Sequence, residues 1–122
     1  MKIAVPTEGR GGLNDLVSMH FGRAATFTVY DTETKEEYVI PNTSEHFGGV
    51  GTPPELLAKA GVDVVVCGNL GPKAVLAFER FGIKVYVGAT GTAKDAINAF
   101  LSGILQPASL DTACPDHRHP FF

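Results

Sequence analysis

The chain has 122 residues, 44% hydrophobic and 19% charged, with 10 basic and 13 acidic side chains and a formal net charge of −3. This composition excludes an intrinsically disordered chain, and the length suits one domain whose core needs no disulfide scaffold. A pI of about 5.7 provides no basic field to attract nucleic acid or an anionic membrane. The sequence has two cysteines, and we recognise neither a signal peptide nor a long apolar span in it. We therefore expect a cytoplasmic protein.

The first half of the sequence predicts three strands and two glycine-rich loops. Residues 2–6 are short and apolar, as expected of a strand that is buried on both faces. The segment 7–23 contains four glycines and little periodicity, which indicates a long loop. Residues 25–32 alternate between apolar and polar, and residues 37–40 follow after a short polar connection, so the two predict a hairpin.

The second half predicts helices that alternate with buried strands. The second glycine-rich loop ends at Thr52, where a Thr-x-x-Glu capping box and a proline mark a helix start. Further helices are predicted to begin near Pro72 and Thr92, and the last carries apolar residues at helical spacing as far as Ile104. Strands are predicted at residues 62–67 and 84–87.

The order β, β, β, α, β, α, β, α predicts the fold class and the domain organisation. Alternating helices and strands require a parallel sheet with right-handed crossovers, and the hairpin adds an antiparallel part. We therefore expect an α/β fold with three layers, α/β/α, and a mixed sheet of about five strands. Residues 1–106 are expected to form the domain and residues 107–122 a flexible tail that contains cysteine and histidine.

Three glycine-rich segments are expected to meet where the parallel strands end: the loop after Pro6 and the turns after Cys67 and Val87. Two of them lead into helix N-termini, whose backbone N–H groups and positive dipole end favour an anion. The alternative is that the glycines only permit tight turns. No nucleotide-binding glycine motif, nucleophile elbow or set of converging carboxylates is present, so we expect that the protein is not an enzyme.

The soft metal ligands of the sequence lie in predicted loops, strand ends and the tail. They are His20, His46, Cys67, Cys114, His117 and His119. The last three form a Cys-x-x-His-x-His pattern that is compact enough to bind one ion. Each also has a plain alternative: Cys67 as a small core residue, His46 as a loop histidine, and the tail pattern as a solvated chain end.

Three segments carry a resemblance to a known family: residues 18–24 (SMHFGRA), 63–74 (DVVVCGNLGPKA) and 85–92 (VYVGATGT). Together they resemble the dinitrogenase iron–molybdenum cofactor biosynthesis family over residues 1 to about 106. The resemblance implies a ribonuclease H-like fold with three layers, in agreement with the predicted order of elements. It also implies a carrier of an iron–sulfur or iron/molybdenum–sulfur cluster, with cluster assembly or acceptor proteins as partners and a monomer or weak dimer as the oligomeric state.

The family's histidine maps onto His20 as a candidate ligand, and some relatives have a cysteine at Cys67. An anionic cluster would also accept hydrogen bonds from its surroundings. The expected donors are Arg23 and the glycine turns at Gly22, Gly49, Gly68 and Gly71. The alternative function is binding of zinc or another single transition metal ion by the tail pattern.

Overall fold

The computed structural model describes residues 1–43 and 52–108, and the strands and helices lie within these two ranges. The strands are β1 (Lys2–Thr7), β2 (Thr26–Asp31), β3 (Glu37–Pro41), β4 (Val64–Val66), β5 (Lys84–Val87) and β6 (Gln106–Pro107). The helices are α1 (Pro53–Lys59), α2 (Pro72–Arg80) and α3 (Ala93–Leu101), and a single 3-10 turn spans Phe21–Arg23. None of these helices has the length and apolar character needed to cross a membrane.

The strands form one mixed sheet in the order β3-β2-β1-β4-β5-β6. β1 pairs parallel to β4, and β4 pairs parallel to β5. On the other side, β2 runs antiparallel to β1 and β3 antiparallel to β2. The predicted parallel sheet with an antiparallel hairpin at one end is therefore confirmed.

The sixth strand lies in a segment for which no strand was predicted. Gln106 pairs with Val87 and Pro107 with Tyr86, antiparallel to β5. The next N–H, that of Ala108, donates to the Val85 carbonyl at 2.7 Å. Two residues, one of them proline, carry no alternation for sequence reasoning to detect. Their pairing follows from the position of the chain after α3.

Two apolar clusters, one on each face of the sheet, give the three layers. On one face α1 and α2 contribute Leu57, Val75 and Phe78 to a cluster that also holds Phe27. On the other face α3 contributes Ala93, Ala96 and Ile97 against β1 and β4. Because successive strand side chains point to opposite faces, β1 divides its residues between both clusters.

Helix starts agree with the capping signals, but the last helix is shorter than predicted. Thr52 accepts a hydrogen bond from the Glu55 N–H at 3.4 Å. Thr92 and Asp95 form a complete capping box. Helix α3 ends at Leu101 because Gly103 adopts φ 76°, a conformation that side chains disfavour. The prediction that Ile104 continues the apolar face was wrong: this side chain is 73% exposed.

Candidate functional site at the carboxyl edge of the sheet

The carboxyl ends of β1, β4 and β5 lie side by side and bring together the three predicted glycine-rich segments. Past the end of the strands, the Ala89 N–H donates to the Cys67 carbonyl at 3.1 Å, and the Gly88 N–H donates to the Gly68 carbonyl at 3.0 Å. The long loop after β1 joins this edge through the Val17 N–H, which donates to the Gly91 carbonyl at 2.9 Å. The edge is therefore a continuous, hydrogen-bonded surface.

Asp15 organises the first part of the long loop, a role that the sequence analysis missed. One of its carboxylate oxygens accepts from the N–H groups of Gly9 at 2.9 Å and Gly11 at 2.8 Å. The other accepts from the Leu16 N–H at 2.8 Å. Aspartate side chains often accept hydrogen bonds from nearby backbone N–H groups in turns. The aspartate that follows the loop glycines was therefore the sequence signal for this role.

This loop closes over the N-terminus of α3. The N–H groups of Ala93 and Lys94 donate to the carbonyls of Asp15 and Leu13, both at 2.9 Å. The capping box at Thr92 satisfies further donors. The N-terminal N–H groups of α3 are therefore used inside the protein, and this helix is a poor anion site although the sequence favoured one here.

The N-terminus of α2 is built differently. Its N-cap is Gly71, which makes no side-chain capping bond, and Pro72 follows at the first helical position. The first turn of α2 contains no acidic residue, whereas α1 and α3 have Glu55 and Asp95 there. Among the three described helices, α2 thus presents a positive dipole end that no carboxylate of its own neutralises.

The predicted ligand His20 is exposed on this edge. Its carbonyl accepts from the Ser18 hydroxyl at 3.1 Å and from the Arg23 N–H at 2.9 Å. The next side chain, Phe21, is buried and packs edge-on against Phe78 of α2, with ring centroids 5.5 Å apart. The backbone of His20 is therefore anchored on both sides, while its imidazole faces solvent.

The side chain before His20 lies against the turn after β4. A Cβ on Gly68 would meet Met19 Cε at 2.8 Å and Met19 Sδ at 3.2 Å. The Met19 side chain nevertheless remains 53% exposed. This contact brings the loop that carries His20 next to the turn that leads into α2. Sequence reasoning could not detect it, because it joins residues that are far apart in the chain.

Cys67 is at the end of β4, as predicted, but its side chain is only 1% exposed and belongs to the core under α1 and α2. Its Sγ lies 3.8 Å from the Tyr86 carbonyl. Burial raises the pKa of the Cys67 thiol to about 12. A metal ligand must be a thiolate, which this environment opposes. The small-core alternative fits the observed packing, and the ligand role stays a prediction.

The other predicted site residues divide between the edge and the segments outside the described ranges. Arg23 is exposed, Gly22 is buried within the 3-10 turn, and Gly68 and Gly71 precede the start of α2. His46, Gly49, Cys114, His117 and His119 lie outside the described residues. Within residues 1–43 and 52–108, no group of three or more histidine, cysteine or acidic residues is arranged to hold a metal ion.

Comparison with known families assigns the chain to one of them. The family described as dinitrogenase iron-molybdenum cofactor matches residues 1–103, so the chain belongs to this family. An uncharacterized protein of Methanocaldococcus jannaschii is 37% identical over an alignment of 111 residues that covers 87% of this chain and 90% of that protein.

Two solved structures have the same fold. The apo form of the orange protein from Desulfovibrio gigas is 38% identical and has a TM-score of 0.80, with 88% of this chain and 92% of that chain covered. A NifB-like protein of Thermotoga is 32% identical with a TM-score of 0.70, and the shares covered are 87% and 91%.

Proposed function

We propose that this protein binds and carries an iron–sulfur or iron/molybdenum–sulfur cluster during cluster assembly, storage or transfer. The observation that carries the proposal is the carboxyl edge of the sheet. There the loop that carries the exposed His20 contacts the turn that leads into α2. The N-terminus of α2 has neither a capping side chain nor an acidic residue in its first turn. Membership of a family named for the dinitrogenase cofactor supports the same function.

The chemistry of the edge suits such a cargo. A cluster with a sulfide surface is soft and anionic, so an imidazole ligand complements its metals. The dipole end of α2 and the exposed Arg23 guanidinium complement its charge. Because Cys67 keeps its proton, the edge offers few strong ligands, and a cargo held by few ligands can be passed on.

The remaining parts of the proposal follow from this carrier role. A carrier performs no turnover of its own, so we propose a binding protein rather than an enzyme. Its partners would be the proteins that assemble or accept the cluster, without nucleic acid or membrane. Because sulfide-bridged clusters are handled where thiols stay reduced, we propose a cytoplasmic location. We further propose that the chain is a monomer or weak dimer.

Replacement of His20 by alanine tests the proposal. The imidazole makes no capping hydrogen bond to the 3-10 turn that follows it, so His20→Ala should cost about 0.5 kcal/mol of stability or less. Loss of one of few ligands should weaken cluster retention about tenfold. The measurement is anaerobic reconstitution with iron, sulfide and molybdate, followed by visible absorption, metal analysis and thermal unfolding of the apo variant.

A matched control is Asn14→Ala, which removes another exposed polar side chain of the same loop and should retain the cluster as the wild-type chain does. A variant His20→Ala that unfolds more easily yet takes up the cluster normally would show that His20 is structural. Absence of any cluster uptake by the wild-type chain would refute the carrier function itself.

A second candidate function is the binding of one zinc or other transition metal ion by Cys114, His117 and His119. The observation in its favour is that β6 and the Ala108–Val85 hydrogen bond fix the chain to the sheet only six positions before Cys114. Zinc bound by such a site would be colourless, unlike a cluster. A chain of residues 1–108 should then lose that metal, and unchanged metal stoichiometry and affinity would exclude the tail.

A further inference from the structure

We propose that Met19 supplies a thioether ligand to a thiophilic metal of the cargo, an inference that rests on the proposed carrier function. Met19 Sδ lies 3.2 Å from the position of a Cβ on Gly68, at the turn between β4 and α2. The side chain is 53% exposed. Its sulfur is thus held at the candidate site and remains accessible.

The backbone on both sides of Met19 is fixed to the sheet edge. The Ser18 N–H donates to the Pro6 carbonyl at 2.8 Å, and Ser18 itself is buried. On the other side, buried Phe21 anchors the 3-10 turn against α2. The direction of Met19 towards the turn after β4 is therefore determined by its neighbours, while its unbranched side chain keeps its own rotational freedom.

Gly68 makes room for this side chain. A Cβ there would come within 2.8 Å of Met19 Cε and within 3.3 Å of the Ala89 carbonyl oxygen. Gly68 is not among the residues with positive φ, so its backbone conformation does not require glycine. The Met19 methyl group is the far end of a flexible side chain and can move away from such a Cβ, whereas the Ala89 carbonyl oxygen is backbone and moves less freely. Met19 therefore lies against the turn at Gly68 without being locked there.

The two sulfur atoms near this turn differ in what they can offer a metal. The Cys67 side chain is only 1% exposed and packs in the core under α1 and α2, so a cargo at the edge cannot reach its sulfur. A thioether has no proton to lose and is a soft ligand of the kind that suits copper(I) and iron–sulfur metals. It binds more weakly than a thiolate, which fits a cargo that has to be released. Among the described residues, Met19 is therefore the accessible sulfur ligand at this edge.

Selenium provides a direct test, because the chain contains two methionines, Met1 and Met19. The chain is labelled with selenomethionine, reconstituted with iron, sulfide and molybdate, and measured by X-ray absorption at the selenium edge. We expect a metal neighbour at bonding distance from selenium. The same measurement on labelled Met19→Leu reports Met1 alone, whose amino group lies near Asp31 and Glu33 at the other end of β1, and should show no metal neighbour.

Cluster retention gives the second readout. Leucine at position 19 still covers the turn after β4 but lacks sulfur, so Met19→Leu should unfold like the wild-type chain and lose the cluster about tenfold more easily. The matched control is Leu16→Ala, since Leu16 lies in the same loop and is 52% exposed; it should retain the cluster. Gly68→Ala, which displaces Met19 but keeps its sulfur, should also weaken retention.

The outcomes separate this inference from the function on which it rests. Cluster uptake without a selenium–metal neighbour, together with wild-type retention by Met19→Leu, would show that Met19 only covers the turn. That result overturns the inference and leaves the carrier function standing. A wild-type chain that takes up no cluster at all overturns both.

Discussion

Single residues at the end of β4 show how burial decides which side chain is available for chemistry. Cys67 and Gly68 are neighbours in sequence, yet the Cys67 thiol points into the core and the Gly68 backbone faces the edge. The sequence identified Cys67 as a soft ligand from its type and position. Which face of β4 it occupies was not decided by that reasoning, and the alternation of the strand places it with Val65 under α1 and α2.

The raised pKa of Cys67 predicts a specific loss of stability in alkali. In the unfolded chain the thiol ionises near its ordinary pKa of 9.0, whereas burial raises its pKa to about 12 in the folded protein. Below the lower value both states are protonated and nothing changes. Between the two values only the unfolded state loses its proton, so the free energy of unfolding should fall by roughly 1.4 kcal/mol per pH unit.

Denaturant unfolding from pH 7 to 11 measures this slope, with Cys67→Ala as the comparison in a Cys114→Ser background. The alanine variant should lose about 1 to 2 kcal/mol at neutral pH because a small buried side chain is removed. Because the parent loses roughly 1.4 kcal/mol per pH unit above pH 9, the alanine variant should nevertheless reach or exceed the stability of the parent by pH 11. Stability curves that stay parallel throughout this range would mean that Cys67 is not protected from ionisation in the folded state.

At the scale of elements, the sequence predicted where helices begin but not which groups accept hydrogen bonds from their N-terminal N–H groups. Threonine and proline signals placed the starts of α1, α2 and α3 within one residue. The difference between α2 and α3 depends on the carbonyls of Leu13 and Asp15, which cover the N-terminus of α3. Backbone carbonyls are the same in every residue, so no side-chain pattern could reveal this contact.

The capping box of α3 predicts a measurable helix contribution. Thr92 accepts from the Asp95 N–H at 3.2 Å, and the Thr92 N–H donates to the Asp95 carboxylate at 3.1 Å. Thr92→Ala removes the first of these bonds and should lower the free energy of unfolding by about 1 kcal/mol. Thermal unfolding measures the change, and Thr90→Ala, at an exposed position two residues earlier, is the control.

Equal stability of the Thr92→Ala and Thr90→Ala variants would contradict this role of the cap. In that case the backbone bonds from the loop to Ala93 and Lys94 would suffice to hold the start of α3. A loss well above about 2 kcal/mol would indicate that the cap also holds the loop itself.

At the scale of the whole molecule, the central sheet and its three layers were predictable because they follow from hydrophobic patterning. β1 and β4 are buried apolar runs, and their parallel pairing follows from the helices between the strands. The edge strand β6 was not predictable, because Gln106–Pro107 is exposed and too short for a pattern. The predicted boundary after residue 106 was placed by composition, whereas we now propose the boundary after Ala108.

This boundary is tested by two truncated chains, residues 1–108 and residues 1–105. The longer chain keeps β6, the hydrogen bond from the Ala108 N–H to the Val85 carbonyl, and the packing of Ala108 against the core cluster. The shorter chain loses the strand, the hydrogen bond and the packing of Ala108. It also exposes the outer edge of β5, whose unpaired backbone groups can form hydrogen bonds with other chains. Loss of a few backbone hydrogen bonds and one partly buried alanine should cost about 1 to 3 kcal/mol.

We therefore expect the chain of residues 1–108 to unfold at the temperature of the full-length protein, and the chain of residues 1–105 to unfold about 5 °C or more below it. Calorimetry measures the two midpoints, and light scattering during refolding reports association through the exposed β5 edge. Identical midpoints for the two truncated chains would show that β6 adds nothing to the domain. A midpoint for residues 1–108 well below that of the full-length protein would instead place the boundary further along the chain.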